Sequence, residues 1–347
     1  MSHRARDIQT SSNFLTDASQ GLQHQVTVHV HQISVSEGNT IPIAIYIAAG
    51  LWSFENPTYP IYAYFHGGGF MFGSLESEHA ACMRLAAKLH VIVISICYRH
   101  TPQHPWPAAW TDATIAMDWI YANALRFGGD PTGIVVGGVG FGAHLAMHVV
   151  RRWKRKFETH APHIGPHLRC TCAAANAFIR GVLLCTPWFY LDFTAFPHRD
   201  FASFQTTSRW QYSDAPILNS AMLAFFVQNL RNPLDEEGPA DIELEDDVYY
   251  SNWPQITIMV AGSDPLRDDG LLLAQKLRLA GIPHMVHPFW GLPHDFRQFD
   301  EALSACKEWD EIIVDSIHAM LEGRLGLVGI PSPPETVEST SRRGTII

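Results

Sequence analysis

Two stretches near the start of the chain alternate apolar and polar positions. Residues 26–35 read VTVHVHQISV and residues 41–48 read IPIAIYIA, the period-two pattern of half-buried strands. From residue 61 the pattern changes. Short apolar runs at 61–65, 91–96, 134–137, 181–185, 256–261 and 284–289 predict buried strands. Between and after them, helical stretches fall near 76–89, 108–127, 141–156, 267–280 and 300–321. Alternation of this kind predicts an α/β fold, a mainly parallel twisted sheet with helices on both faces. Residues 188–250, with aromatics, prolines and the acidic run DEEGPADIELEDD, predict an inserted lid, to which residues 1–25 are also assigned. The remainder reads as one domain over 1–325. The tail 326–347, rich in Pro, Ser and Thr, is expected to be disordered.

Composition narrows the class. The chain has 347 residues, 47% of them hydrophobic, enough for a large core. Only 17% are charged and the net charge is −10, which argues against nucleic acid as a partner. The one basic cluster, RRWKRK at Arg151–Lys156, is expected to be a solvated last helical turn. No apolar run is long enough to span a membrane, and the N-terminus lacks a signal-peptide core, so a cytoplasmic protein is expected. The cysteines Cys82, Cys97, Cys170, Cys172, Cys185 and Cys306 follow no disulfide or zinc spacing and read as buried free thiols. His29 and His31 share one strand face, read as solvated rather than ligating. Neither a metal nor an organic cofactor is expected.

Three motifs carry chemistry. FHGGGFMFGS (Phe65–Ser74) follows a strand, and its glycines leave backbone N–H groups free of side-chain obstruction, as an oxyanion hole requires. IMVAGSDPLRDD ends a strand at Asp264, and HMVHPFWGLPHDF ends another at His294. About 30 residues, one helix and one strand, separate them, so the two should lie on adjacent loops at the carboxyl edge of the sheet. A fourth motif, GIVVGGVGFGAHLAMH (Gly133–His148), is a strand, glycine turn and helix without Ser, Cys, Asp or Lys in the turn. It matches the G-x-G-x-x-A dinucleotide fingerprint, but no strand with a terminal acid follows. Glu158 stands in a polar stretch, so the fingerprint reading is set aside.

Together with YRHTPQHPWPAAWTDA, GGDPTGIVVGG, AGSDPLRDDG and GLPHDF, these motifs resemble the hormone-sensitive-lipase-like (fold-3) branch of the α/β-hydrolase superfamily over about residues 61–320. The resemblance implies the α/β-hydrolase fold, catalytic Asp264 and His294, an oxyanion hole of Gly68, Gly69 and Phe141, and His66 ordering the glycine loop. In that family the elbow reads G-D-S-A-G-G. Here Gly138-Val139-Gly140-Phe141-Gly142-Ala143 fills the frame, so Gly140 stands at a vacant nucleophile position and Val139 replaces the preceding Asp. Cys97, where the family usually has Asp, is weighed as a substitute nucleophile and read as a core thiol. His144 is expected to pack under the glycine loop.

Three functions fit. The favoured one is a non-hydrolytic enzyme for an apolar carbonyl or ester-like small molecule, using His294–Asp264 acid–base catalysis in elimination, cyclisation or isomerisation, with secondary metabolism as a setting. The others are an esterase-like binding protein without catalysis, and a carboxylester hydrolase in which His294 activates water. Phe70, Phe72 and Trp290 are candidate pocket residues. A small apolar molecule is the expected partner, and a homodimer is a candidate assembly.

Overall fold

A computed structural model describes residues 21–51, 58–159, 178–191, 196–230 and 253–324. The expected tail and much of the expected lid, residues 1–20, 192–195 and 231–250, lie outside them, as do Cys170 and Cys172.

Every predicted strand is present: β1 (Val26–Ser34), β2 (Thr40–Ala48), β3 (Tyr59–Phe65), β4 (Ile92–Ile96), β5 (Gly129–Val139), β6 (Ile179–Cys185), β7 (Gln255–Ser263) and β8 (His284–Pro293). They form one sheet in the order β1-β2-β4-β3-β5-β6-β7-β8. β1 and β2 are antiparallel to their neighbours, and the strands from β3 to β8 run parallel. The α-helices longer than two turns are α1 (His79–Leu89), α2 (Ala108–Asn123), α3 (Phe141–Thr159), α4 (Ser220–Leu230), α5 (Arg267–Leu279) and α6 (Ser304–Glu322).

Alternate residues of each strand serve opposite faces, as the period of two requires. Ile61, Ala63 and Phe65 of β3 join the core beneath α2, α3 and α5, whereas Tyr62 and Tyr64 join the core beneath α1 and α6. Helices therefore cover both faces. The chain moves outward from β3 to β4 and then crosses back to β5, so the loops after β3 and β5 diverge at the carboxyl edge and open a crevice there.

Two surface expectations are corrected. Lys154 is 7% exposed, its Nζ 5.9 Å from the Trp253 ring centroid, because Val150, Trp153 and Lys154 share the core face of α3 at the i, i+3, i+4 spacing. His31 is half-buried, its ring 6.0 Å from Trp119 of α2, so that strand face is only partly solvated. Cys82, Cys185 and Cys306 are buried free thiols, as expected.

The segment after β6 is tied down by a fully buried ion pair. Arg209 Nη2 donates to Asp269 Oδ1 (2.8 Å), and Asp269 Oδ2 accepts from the N–H groups of Phe189 (2.8 Å) and Tyr190 (3.1 Å). Burial raises the Asp269 pKa and Arg209 opposes that shift. Arg209→Ala should therefore cost about 3–5 kcal/mol in urea denaturation, the penalty for an uncompensated buried charge.

Candidate active site

The glycine turn between β5 and α3 shows why its sequence is so unusual. A Cβ at Gly138 would lie 2.3 Å from the Gly142 carbonyl carbon, and one at Gly142 would lie 2.1 Å from the Phe65 carbonyl oxygen. Those two glycines are required by close backbone approach. Gly140 is different. At φ +56° it occupies the left-handed region, yet a Cβ there would meet only His294, with Nε2 at 3.7 Å. Position 140 is thus a side-chain slot aimed at an imidazole, filled by hydrogen. The elbow backbone is pinned on both sides: Gly140 N–H donates to the Cys185 carbonyl (2.8 Å), and Trp188 N–H donates to the Gly140 carbonyl (3.2 Å).

His294 reaches that slot through an irregular strand. Ala261 pairs with Phe289 but Ser263 pairs with Pro293, so three residues of β8 bulge opposite Gly262. A Cβ on Gly262 would lie 2.7 Å from the Trp290 Cα, so only glycine admits the bulge. The bulge brings His294 Nδ1 to Asp264 Oδ2, and the Nδ1–H donates at 2.7 Å. Asp264 Oδ1 accepts from the Leu266 N–H (2.8 Å), which fixes the carboxylate. Burial lowers the His294 pKa, but the Asp264 carboxylate, its hydrogen bond and Asp295 outweigh burial and hold the imidazole above its ordinary value.

Opposite the slot, Gly68 (φ +105°) and Gly69 (φ +58°) turn the loop after β3. Among the described residues, neither glycine's N–H donates to another backbone carbonyl. Phe141 opens α3, so its N–H is one of the unpaired groups of a helix N-terminus. All three expected donors line one cavity of about 270 Å³ together with Gly140 and His294. His66 Nδ1 donates to the Gly67 carbonyl (2.7 Å), an ordering contact within the loop.

The apolar side of this cavity differs from expectation. Phe70 is fully buried, packed against Phe141 (4.8 Å) and Trp188 (5.5 Å), and forms the layer behind the cavity. Phe72 is 57% exposed on the outer surface. Trp290 rides on the β8 bulge. None of the three lines the cavity. Trp188, Leu266 and residues of the 188–250 segment, Ile217, Leu218, Met222 and Phe226, do so instead. His144 is a buried structural group: Trp110 Nε1–H donates to its Nε2 (3.1 Å), its Nδ1 meets the Trp188 carbonyl (3.0 Å), and its ring stacks on Phe141. Burial drives its pKa down to about 3, so it is a neutral core group. Cys97 is not on the cavity wall.

Two carboxyls have no role assigned from the sequence, Asp295 within the GLPHDF motif and Glu78 outside any motif. Glu78, at the start of α1, and Asp295, in a left-handed conformation (φ +50°), both line the cavity. Tyr64 Oη donates to Glu78 Oε2 (2.8 Å). Burial raises the Glu78 pKa, Asp295 adds to the rise, and Tyr64 and Arg297 oppose it. Burial likewise raises the Asp295 pKa against His294 and Arg297. Both carboxyls also belong to a second cavity of about 470 Å³ with Arg84, Arg297 and Asp310. Asp295 could have been suspected as the neighbour of His294. Glu78 gives no such signal, because only the fold turns the start of α1 toward β8. Among the described residues, the one hydroxyl on the cavity wall is that of Ser77, which is engaged in a turn and donates to the Ser74 carbonyl (2.9 Å).

Comparison with known proteins agrees with this fold. Residues 62–298 match the Abhydrolase_3 family model, alpha/beta hydrolase fold. Esterase LipI of Mycobacterium tuberculosis is 30% identical over 270 residues, covering 76% of this chain and 74% of its own. Versiconal hemiacetal acetate esterase of Dothistroma septosporum is 26% identical over 280 residues, 80% and 78% of the two chains. Among solved structures, vibralactone cyclase superposes with a TM-score of 0.73 at 25% identity, covering 89% of this chain and 85% of that one.

Proposed function

The chain belongs to the alpha/beta hydrolase fold-3 family, and on that premise we propose that it is a non-hydrolytic enzyme acting on an apolar carbonyl compound by acid–base catalysis. The observation that carries this reading is the His294 Nε2 aimed at a side-chain slot that holds no nucleophile, while the Asp264 hydrogen bond and the N–H donors remain around it. Elimination, cyclisation and isomerisation need no covalent serine. The similarity to a protein named a cyclase fits the same reading.

The steps follow from the geometry. Asp264 accepts from Nδ1–H, so Nε2 presents its lone pair and removes a proton α to the substrate carbonyl. The C–H electron pair moves onto the carbonyl oxygen, where the N–H groups of Gly68, Gly69 and Phe141 receive the enolate charge. In an elimination the enolate pair returns to expel the β-substituent. Glu78 on the cavity wall, whose hold on a proton burial strengthens, gives that group a proton and takes one back from solvent. The imidazolium then returns its proton to solvent. Trp188, Met222 and Phe226 select an apolar substrate body. A second reading, hydrolysis by His294-activated water, draws support from the esterase relatives.

The test uses simple aryl ketones in D₂O, with exchange at the α-carbon followed by proton NMR. The protein is expected to accelerate exchange, to hydrolyse no short-chain aryl ester, and to take no label from a serine-directed fluorophosphonate. Ester hydrolysis without exchange would establish the second reading. If neither reaction rises above the buffer rate although the ketone binds, the protein is a binder without catalysis. The base form of His294 requires loss of a proton held above the ordinary histidine value, so the rate should rise with pH through a limb above about 6.5. Asp264→Asn removes the carboxylate that raises that value, and the limb should move to lower pH as the plateau falls.

A further inference from the structure

Behind the glycine loop lies a second group of reactive side chains with no part in the proposed reaction. β3 and β4 are parallel neighbours with Phe65 opposite Ile96, so the next residues, His66 and Cys97, emerge side by side at the carboxyl edge. The chain then turns and brings His100 to the same place. One potential ligand atom from each of the three lies within 4.8 Å of the other two. His66 Nδ1 carries the proton given to the Gly67 carbonyl, which leaves Nε2 as a bare lone pair. That Nε2 is buried without a hydrogen-bond partner, and so is His100 Nε2. Buried imidazole nitrogens are ordinarily satisfied, and two unsatisfied ones on rings gathered beside a thiol call for a ligand. No described carboxylate or hydroxyl meets either nitrogen.

We propose that His66, Cys97 and His100 form a zinc-binding site that ties the glycine loop to the loop after β4. Two imidazoles and a thiolate are a borderline-soft donor set suited to Zn²⁺ rather than to Mg²⁺ or Ca²⁺, and three protein ligands leave a fourth position for water. Bonds of about 2.0–2.3 Å in a tetrahedron place ligand atoms about 3.5 Å apart, so the trio closes by about 1 Å on the ion. The surroundings already orient the ligands. The Nδ1–H of His66 on a carbonyl is the usual outer-shell arrangement for a ligating histidine. Its ring stacks on Tyr98 (4.3 Å). Gly73 lies so close behind the ring that a Cβ there would sit 2.3 Å from Nδ1. The β4 loop is held by Arg99, whose Nη2 donates to Asp112 Oδ1 (2.7 Å). Cys97 and His100 are only half-buried, which gives the ion a way in. Zn²⁺ replaces the thiol proton, which leaves to solvent, and no redox change is involved. The ion lies outside the cavity holding His294 and fixes Gly67 to Gly69 from behind. This departs from the metal-free protein that the sequence predicts.

The test uses the full chain, stripped with a chelator, desalted and titrated with Co²⁺ as a coloured surrogate. A thiolate-to-cobalt charge-transfer band is expected, saturating at one equivalent and bleached by equimolar Zn²⁺. Cys97→Ser should abolish the band. His100→Leu should weaken Zn²⁺, in competition with a chromophoric chelator, by more than the about 10- to 100-fold typical of outer-shell losses. The proposal is overturned if folded parent protein gives no band. It is equally overturned if the band survives in Cys97→Ser, which would assign it to another cysteine. Because the readout on the parent is metal binding alone, neither a misfolded variant nor an inactive enzyme obscures the answer.

Discussion

His294→Ala should lower aryl-ketone exchange by about 10²- to 10⁴-fold, the usual contribution of a positioned general base. Affinity for the same ketone, followed by saturation-transfer NMR, should stay within about tenfold. The separation follows from where the imidazole acts. On the proposed reading, apolar contacts with Trp188, Leu218, Met222 and Phe226 supply ground-state binding and are untouched by the substitution. The Nε2 lone pair gains its value only as a proton moves. The variant should fold, since the side chain lies on a loop beyond β8 with 14% of its surface open. A parent that binds the ketone and converts it no faster than His294→Ala would identify a binding protein and end the acid–base reading.

Gly140→Ser should take the protein from no reaction with a fluorophosphonate to stoichiometric labelling at residue 140. The slot has room: the new Cβ would meet only the His294 ring, at 3.7 Å and beyond, so the hydroxyl comes within reach of Nε2. Its alkoxide would then face the N–H donors already on the cavity wall. The substitution forces a non-glycine residue to φ +56°, which should cost about 1–3 kcal/mol in urea denaturation. Gly142→Ala is the contrasting variant. Its Cβ would collide with backbone at 2.1 Å, so it should lose far more stability and gain no label. A folded Gly140→Ser protein that resists labelling would mean that His294 and Asp264 are not aligned with the elbow.

The missing side chain at position 140 is legible in the amino-acid order alone, because the motif frame on either side identifies the residue that fills the turn. The pairing of Asp264 with His294 is legible too, from two strand ends one helix apart. How His294 crosses the sheet to reach Gly140 is not. That depends on three residues bulging opposite Gly262, and a bulge has no signature in apolar periodicity. The aromatic wall departs from expectation for a related reason. Phe70, Phe72 and Trp290 are near the motifs in sequence, but adjacency along a loop does not fix which way a ring points. Phe70 turns into the core, Phe72 out to solvent, and Trp290 onto the bulge.

The sequence by itself determined the α/β layering, the strand and helix positions, the family and the glycine at the elbow. Each of these is a local property, set by periodicities of 2 and 3.6 or by residues within one turn. Tertiary structure alone decided which distant groups share a volume. It placed Glu78 and Asp295 on one cavity wall with His294, put Trp188, Met222 and Phe226 around the same cavity, and drew His66, Cys97 and His100 together behind the glycine loop. Those contacts join residues from separate strands and helices. They are set by sheet order and by which helix covers which face, and neither is written in any one stretch of the chain.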